Sequence, residues 1–104
     1  MAFNLEATLG DMLDAAKDVV AGEWPKIKDC AKEALEEQEE ALKEIAAARL
    51  RGDLNEEEMQ SELEDEEKTF QAALLACKVK AKATAQEAAN AAFKVLEQAI
   101  RAVV

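Results

Sequence analysis

The chain contains no histidine and no tyrosine, and its single serine, Ser61, stands among glutamates. Nucleophile–base catalysis therefore has no base to draw on. Glycine-rich phosphate loops are absent too. Paired glutamates can do acid–base chemistry only inside a pocket, which a thin helical core rarely provides. An enzyme is not expected, and neither is a cofactor. Three Gly and one Pro are too few for a β-sandwich or barrel, and three Thr leave β-branched residues sparse. Basic charge is in deficit, at 13 Lys and Arg against 23 Asp and Glu, a net −10. That balance disfavours nucleic acid and anionic lipid as partners, since both need a basic surface. Long apolar runs are missing: Ala72 to Cys77 is far too short to cross a bilayer. Asp11 interrupts the early apolar residues and no basic start precedes them, so no secretory signal is expected and a cytoplasmic location follows by default.

What remains is dominated by helix formers. Alanine alone supplies 23 of the 104 residues, with Glu, Lys, Leu and Gln making up much of the rest. The expectation is a single all-α domain. Large apolar side chains are few, and Ala buries little area, so a lone chain of this kind has a thin core.

Three segments follow from periodicity and stop signals. The first, about 4–21, carries Leu5, Leu9, Met12, Leu13, Ala16, Val19 and Val20 on one stripe. Gly22 is placed as its left-handed C′ residue, with Pro25 opening the next helix. The second, about 25–51, has Ile27, Cys30, Ala31, Leu35, Gln38, Leu42 and Ile45 facing inward. A turn at 52–55 ends in the best local signal of the chain. Asn55 and Glu58 make a capping box, and Leu54 with Met59 makes a hydrophobic staple. The third segment is read as one helix over 56–104, roughly 74 Å long at 1.5 Å per residue. Its stripe runs through Met59, Leu63, Glu66, Phe70, Leu74, Cys77, Ala81, Thr84, Ala88, Ala91, Val95 and Ala99. Thr84 to Glu87 is the one alternative break, again a capping-box pattern.

The short turn makes segments two and three antiparallel, with paired positions summing to about 107. The C-terminal third is then left for segment one. Charge agrees, since residues 1–21 carry four acids and one base while residues 69–104 carry two acids and five bases. Residues 55–68 hold eight acids and one base, so the hairpin tip is strongly acidic and could meet a basic protein partner.

Cys30 and Cys77 meet in this register. They form either an interhelical disulfide or two facing reduced thiols acting as small apolar residues. Ordinary helix spacing favours the thiols, while the surrounding alanines would permit the bond. Glu36, Glu40, Glu62 and Asp65 are weak metal-ligand candidates. Dinuclear bundle sites use Glu-x-x-His, and no His exists here, so a solvated acidic face is the plainer reading. Gln38 and Glu66 fall on the seam as a candidate polar layer. Arg51-Gly52-Asp53 matches an attachment tripeptide, but a helix C-cap accounts for the glycine.

The expected architecture is a long antiparallel helical hairpin with a short N-terminal helix, assembling into a four-helix-type bundle. The alanine-rich Ala72–Ala92 region is assigned to contact with another copy. The expected interface is Leu5, Leu9 and Leu13 with Ala88, Ala91 and Val95, in a homo-oligomer, most simply a dimer. The matching function is a non-enzymatic assembly, scaffold or adaptor protein. The alternative is a ferritin-like carboxylate metal-binding bundle that lacks His.

Overall fold

The computed structural model describes residues 3–104 and is all-α. Helix α1 spans Leu5–Val20, a 3-10 turn covers Ala21–Glu23, α2 spans Trp24–Arg51, α3 Glu56–Ala76 and α4 Lys82–Arg101. Local chemistry fixes most ends. The Asn4 side chain accepts the Ala7 N–H at 3.2 Å to open α1. Pro25 lies in the first turn of α2, where its missing N–H leaves no helix bond unmade. Gly52, at φ 84°, turns the chain out of α2, and its N–H reaches the carbonyls of Ala48 and Arg49. The capping box is complete: Asn55 Oδ1 accepts the Glu58 N–H at 2.8 Å, and Glu58 Oε1 accepts the Asn55 N–H at 2.9 Å. Beside it Leu54 is half-buried and Met59 fully buried, as the staple requires.

Each helix runs antiparallel to the next. Together they form a ring in which α1 touches α2 and α4, and α3 touches the same two from the other side. The body measures 39 × 23 × 19 Å with a radius of gyration of 13.2 Å. A compact chain of this length has about that radius. The core is one cluster built around Met12, Leu35, Leu42, Met59, Phe70, Leu74, Leu96 and Ile100. Phe70 of α3 meets Phe93 of α4 with ring centroids 6.1 Å apart.

Four expectations change. First, a continuous helix from residue 56 onward does not form; a helix of that length would not fit a body 39 Å long. The chain breaks at 77–81, where Lys78 takes φ 76° and the Val79 N–H reaches back to the Leu74 carbonyl at 3.1 Å. Val79 is buried, which draws the loop onto the bundle end. Thr84, the alternative break, lies inside α4. Second, the loop resets the helical phase. The inward face of α4 is Ala85, Ala88, Ala89, Ala92, Phe93, Leu96 and Ile100, while Ala91, Val95 and Ala99 are only half-buried. Third, the four-helix bundle closes within one chain. Ala85, Ala88, Ala89 and Ala92 have no exposed surface, and α1 packs more closely along α4 than any other pair. The α4 part of the alanine flank assigned to another copy is therefore covered by α1, aided by the fully buried Met12 and Ala16, whereas Ala72 and Ala76 of α3 stay exposed. Fourth, the residue that turns the chain out of α1 at positive φ is Ala21, at φ 56° and ψ −114°, rather than Gly22.

Candidate functional site

Cys30 and Cys77 are joined in a disulfide, with Cα atoms 5.8 Å apart and a sequence separation of 47. Cys77 is the C-cap residue of α3 and half-buried, while Cys30 is exposed on α2. The bond thus rides on the outer edge of the α2–α3 seam rather than inside it. It closes the helix pair at the end opposite the acidic turn.

Midway along that seam, Gln38 is buried on α2. Its Nε2 donates to the Glu66 backbone carbonyl at 2.8 Å and to Glu66 Oε1 at 3.2 Å. The two seam residues form a polar layer, but Gln38 Oε1 is buried without a partner. Such a layer restricts register at some expense of stability.

The carboxylates do not converge. Glu40, Glu62 and Asp65 line a shallow groove between α2 and α3, together with Lys43, Glu44 and Arg51, whereas Glu36 lies on the side facing α1. All four candidates are exposed. Among the described residues no group of three or more Cys, Asp and Glu side chains is arranged to hold a metal ion. The Glu67 carboxyl, between α3 and α4, is perturbed. Burial raises it above the usual carboxylate range, Glu64 and Glu97 add to the rise, and a hydrogen bond from Asn90 works against it.

The acidic turn is partly neutralised by the chain itself, which sequence reasoning missed. Because α4 doubles back, Arg101 arrives beside Glu56 and Glu97 and pairs with both. Arg49 Nε lies 3.7 Å from the other Glu56 oxygen, and Gln60 donates to Glu97 at 2.9 Å. Side chains of α2, α3 and α4 are thereby linked at one end. Extrapolating a straight third helix had placed Arg101 at the far end. In the turn, Arg51 and Asp53 pair with each other at 3.0 Å, so the tripeptide is occupied by its own ion pair.

The expected interface residues separate into two groups. Ala88 is interior, and Ala91 and Val95 are half-buried on the flank of α4. Leu5, Leu9 and Leu13 line the seam between α1 and α2, which is packed far less closely than the α1–α4 seam. Shallow depressions run the length of this face. One end has Lys17, Trp24, Pro25 and Lys28, the middle has Leu9, Gly10, Leu13 and Leu35, and the other end has Phe3, Leu5, Ala47 and Leu50. Leu50 is 42 % exposed and Leu13 half-buried, so apolar surface remains open along the seam.

No protein-family model, no curated protein and no solved structure matches the chain. No helix among the described residues is long and apolar enough to cross a membrane.

Proposed function

We propose that the protein is a non-enzymatic helical interaction module that works by self-association and helix–helix contact, and that the α1–α2 face makes that contact. The observation carrying this reading is the unequal sealing of the bundle. The α1–α4 seam is closed by alanines with no exposed surface, whereas the α1–α2 seam leaves Gly10, Leu13, Pro25 and Leu50 accessible. A row of apolar residues left open along one edge of the bundle fits a partner helix. The scattered carboxylates and the missing His favour neither catalysis nor a metal centre.

The exposed acids of α3 keep copies from meeting through that helix, and a basic protein partner would be received there. Arg49 and Arg101 already neutralise part of the charge, so the acidic end is a weaker attractor than its composition implies. A disulfide is at home in an oxidising compartment, which fits Cys30–Cys77 better than a reducing cytoplasm does. Sedimentation velocity over a wide concentration range tests the reading. A weight-average coefficient that climbs with concentration supports it, and one fixed at the value for the 11.3 kDa chain removes self-association.

A further inference from the structure

We propose that the α1–α2 face receives a second copy of this chain in antiparallel, twofold-related orientation, with Gly10 at the point of closest approach. This deepens the self-association reading above and rests on it. Three observations converge on the arrangement.

The first is Gly10 itself. It lies in the middle of α1, where glycine is the least favourable residue apart from proline. A side chain there would meet nothing within 4 Å in this chain, so the fold gives no reason for its absence. Gly10 is exposed and borders two of the depressions along the seam, at the centre of the face. A bare backbone at the centre of an exposed apolar face is what close approach by another helix requires.

The second observation is charge order. Lys17, Lys28 and Lys32 lie toward one end of the face, and Glu6, Glu36 and Glu39 line its middle. A twofold axis running along the groove would place lysines on lysines. An axis running across the groove places the lysines of each copy on the glutamates of the other. With the axis between Lys32 and Glu36, Lys28 lies roughly 9 Å to one side and Glu39 roughly 8 Å to the other at 1.5 Å per residue. The two are therefore brought into register across the interface. Asp14 and Lys43 also border the face and fall outside this pairing.

The third observation is that the other faces fit a copy poorly. The α1–α4 seam is closed, and α3 exposes Glu57, Glu58, Glu62, Glu64 and Asp65, which would repel the same helix of a second chain. An isologous contact needs a patch that complements itself, and the α1–α2 face combines open apolar surface with lysines toward one end and glutamates in its middle.

The test uses the full chain, with its disulfide intact, in size-exclusion chromatography with light scattering up to roughly 100 μM, where weak interfaces fill. The wild type is expected to approach twice the 11.3 kDa chain mass. Gly10→Leu weakens the dimer at least tenfold. Gly10→Ala weakens it while the melting temperature of the monomer holds or rises, which separates lost docking from lost folding. Lys28→Glu with Lys32→Glu abolishes the dimer, and adding Glu36→Lys with Glu39→Lys to the same chain restores it. A dimer that survives Gly10→Leu and the charge reversal overturns this surface, yet leaves self-association standing. A wild type that stays at the chain mass overturns both.

Discussion

Breaking the Cys30–Cys77 bond should remove a large part of the stability of this bundle. The link spans 47 positions in sequence. In the chain-entropy model, closing a loop of that size lowers the entropy of the unfolded chain enough to stabilise the fold by about 4 kcal/mol at 25 °C. The native state should lose little when the bond is cut. Cys30 is exposed, Cys77 is only half-buried, and a Cα separation of 5.8 Å is ordinary for a bridge. Stabilities of whole domains are about 5–15 kcal/mol, so the loss is a substantial fraction. Urea unfolding followed by far-ultraviolet ellipticity, with and without a phosphine reductant, measures it. The Cys30→Ala/Cys77→Ala variant controls for the reductant. The midpoint should fall by about 2–4 M, given slopes near 1–2 kcal/mol/M for small domains. The slope itself should steepen, because the reduced unfolded chain is less compact. A midpoint that moves by less than about 0.5 M would refute the reasoning. It would mean either that the unlinked chain keeps the two sites together when unfolded, or that the bond strains the fold by as much as it stabilises it.

Further expectations concern single residues. Lys78 holds a left-handed conformation at φ 76°, so Lys78→Gly should raise stability by about 1 kcal/mol, and a loss on thermal unfolding would show that its side chain makes a larger contribution. Gln38→Leu should be stabilising by roughly 1 kcal/mol, because it removes a buried oxygen without a partner while Glu66 can turn to water. A loss of similar size in urea titration would instead give the polar layer a net favourable role. Glu67 has a folded-state pKa raised above its unfolded value, so the fold binds more protons than the unfolded chain between the two. Its contribution is most favourable below the unfolded pKa and declines as pH rises through the folded one. Glu67→Gln should therefore stabilise the protein at neutral pH and flatten stability against pH in that window; an unchanged slope in pH-resolved melts counts against it.

Much of the architecture is legible in the residues. The start of α3 could be read to the residue, because Asn55, Glu58, Leu54 and Met59 occupy positions with one shared local explanation. The α2–α3 register was likewise accessible, since a four-residue turn leaves little freedom: Gln38 and Glu66 meet on the seam it predicts, and Cys30 and Cys77 meet at its outer edge, with Cys30 exposed rather than facing inward. The break at 77–81 was not. It has no Gly or Pro, and α4 opens on Ala81 without a side-chain cap. Its causes are tertiary: a bonded Cys77, a buried Val79 and a left-handed Lys78. One clue was present. Phe93, Leu96 and Ile100, the bulky residues of the last helix, do not lie on the stripe extended from Phe70 and Leu74, and their mismatch marks a change of phase. Missing that change left the alanine face uncovered in the sequence reading, and a second chain was called on to cover it. The open α1–α2 seam depends on distances between helices, which periodicity does not encode.

Comparing Ala92→Leu with Ala91→Leu by chemical denaturation tests the single-chain bundle most directly. Ala92 has no exposed surface, while Ala91 is half-buried and belongs to the inward stripe only if the last helix is continuous. With α1 sealed onto the face of α4 that carries Ala85, Ala88, Ala89 and Ala92, the leucine at 92 overpacks the seam and lowers stability by about 1–3 kcal/mol, and the leucine at 91 changes it by less than about 0.5 kcal/mol. A large loss at 91 with tolerance at 92 would contradict the break, the phase of α4 and the closure of the bundle by α1.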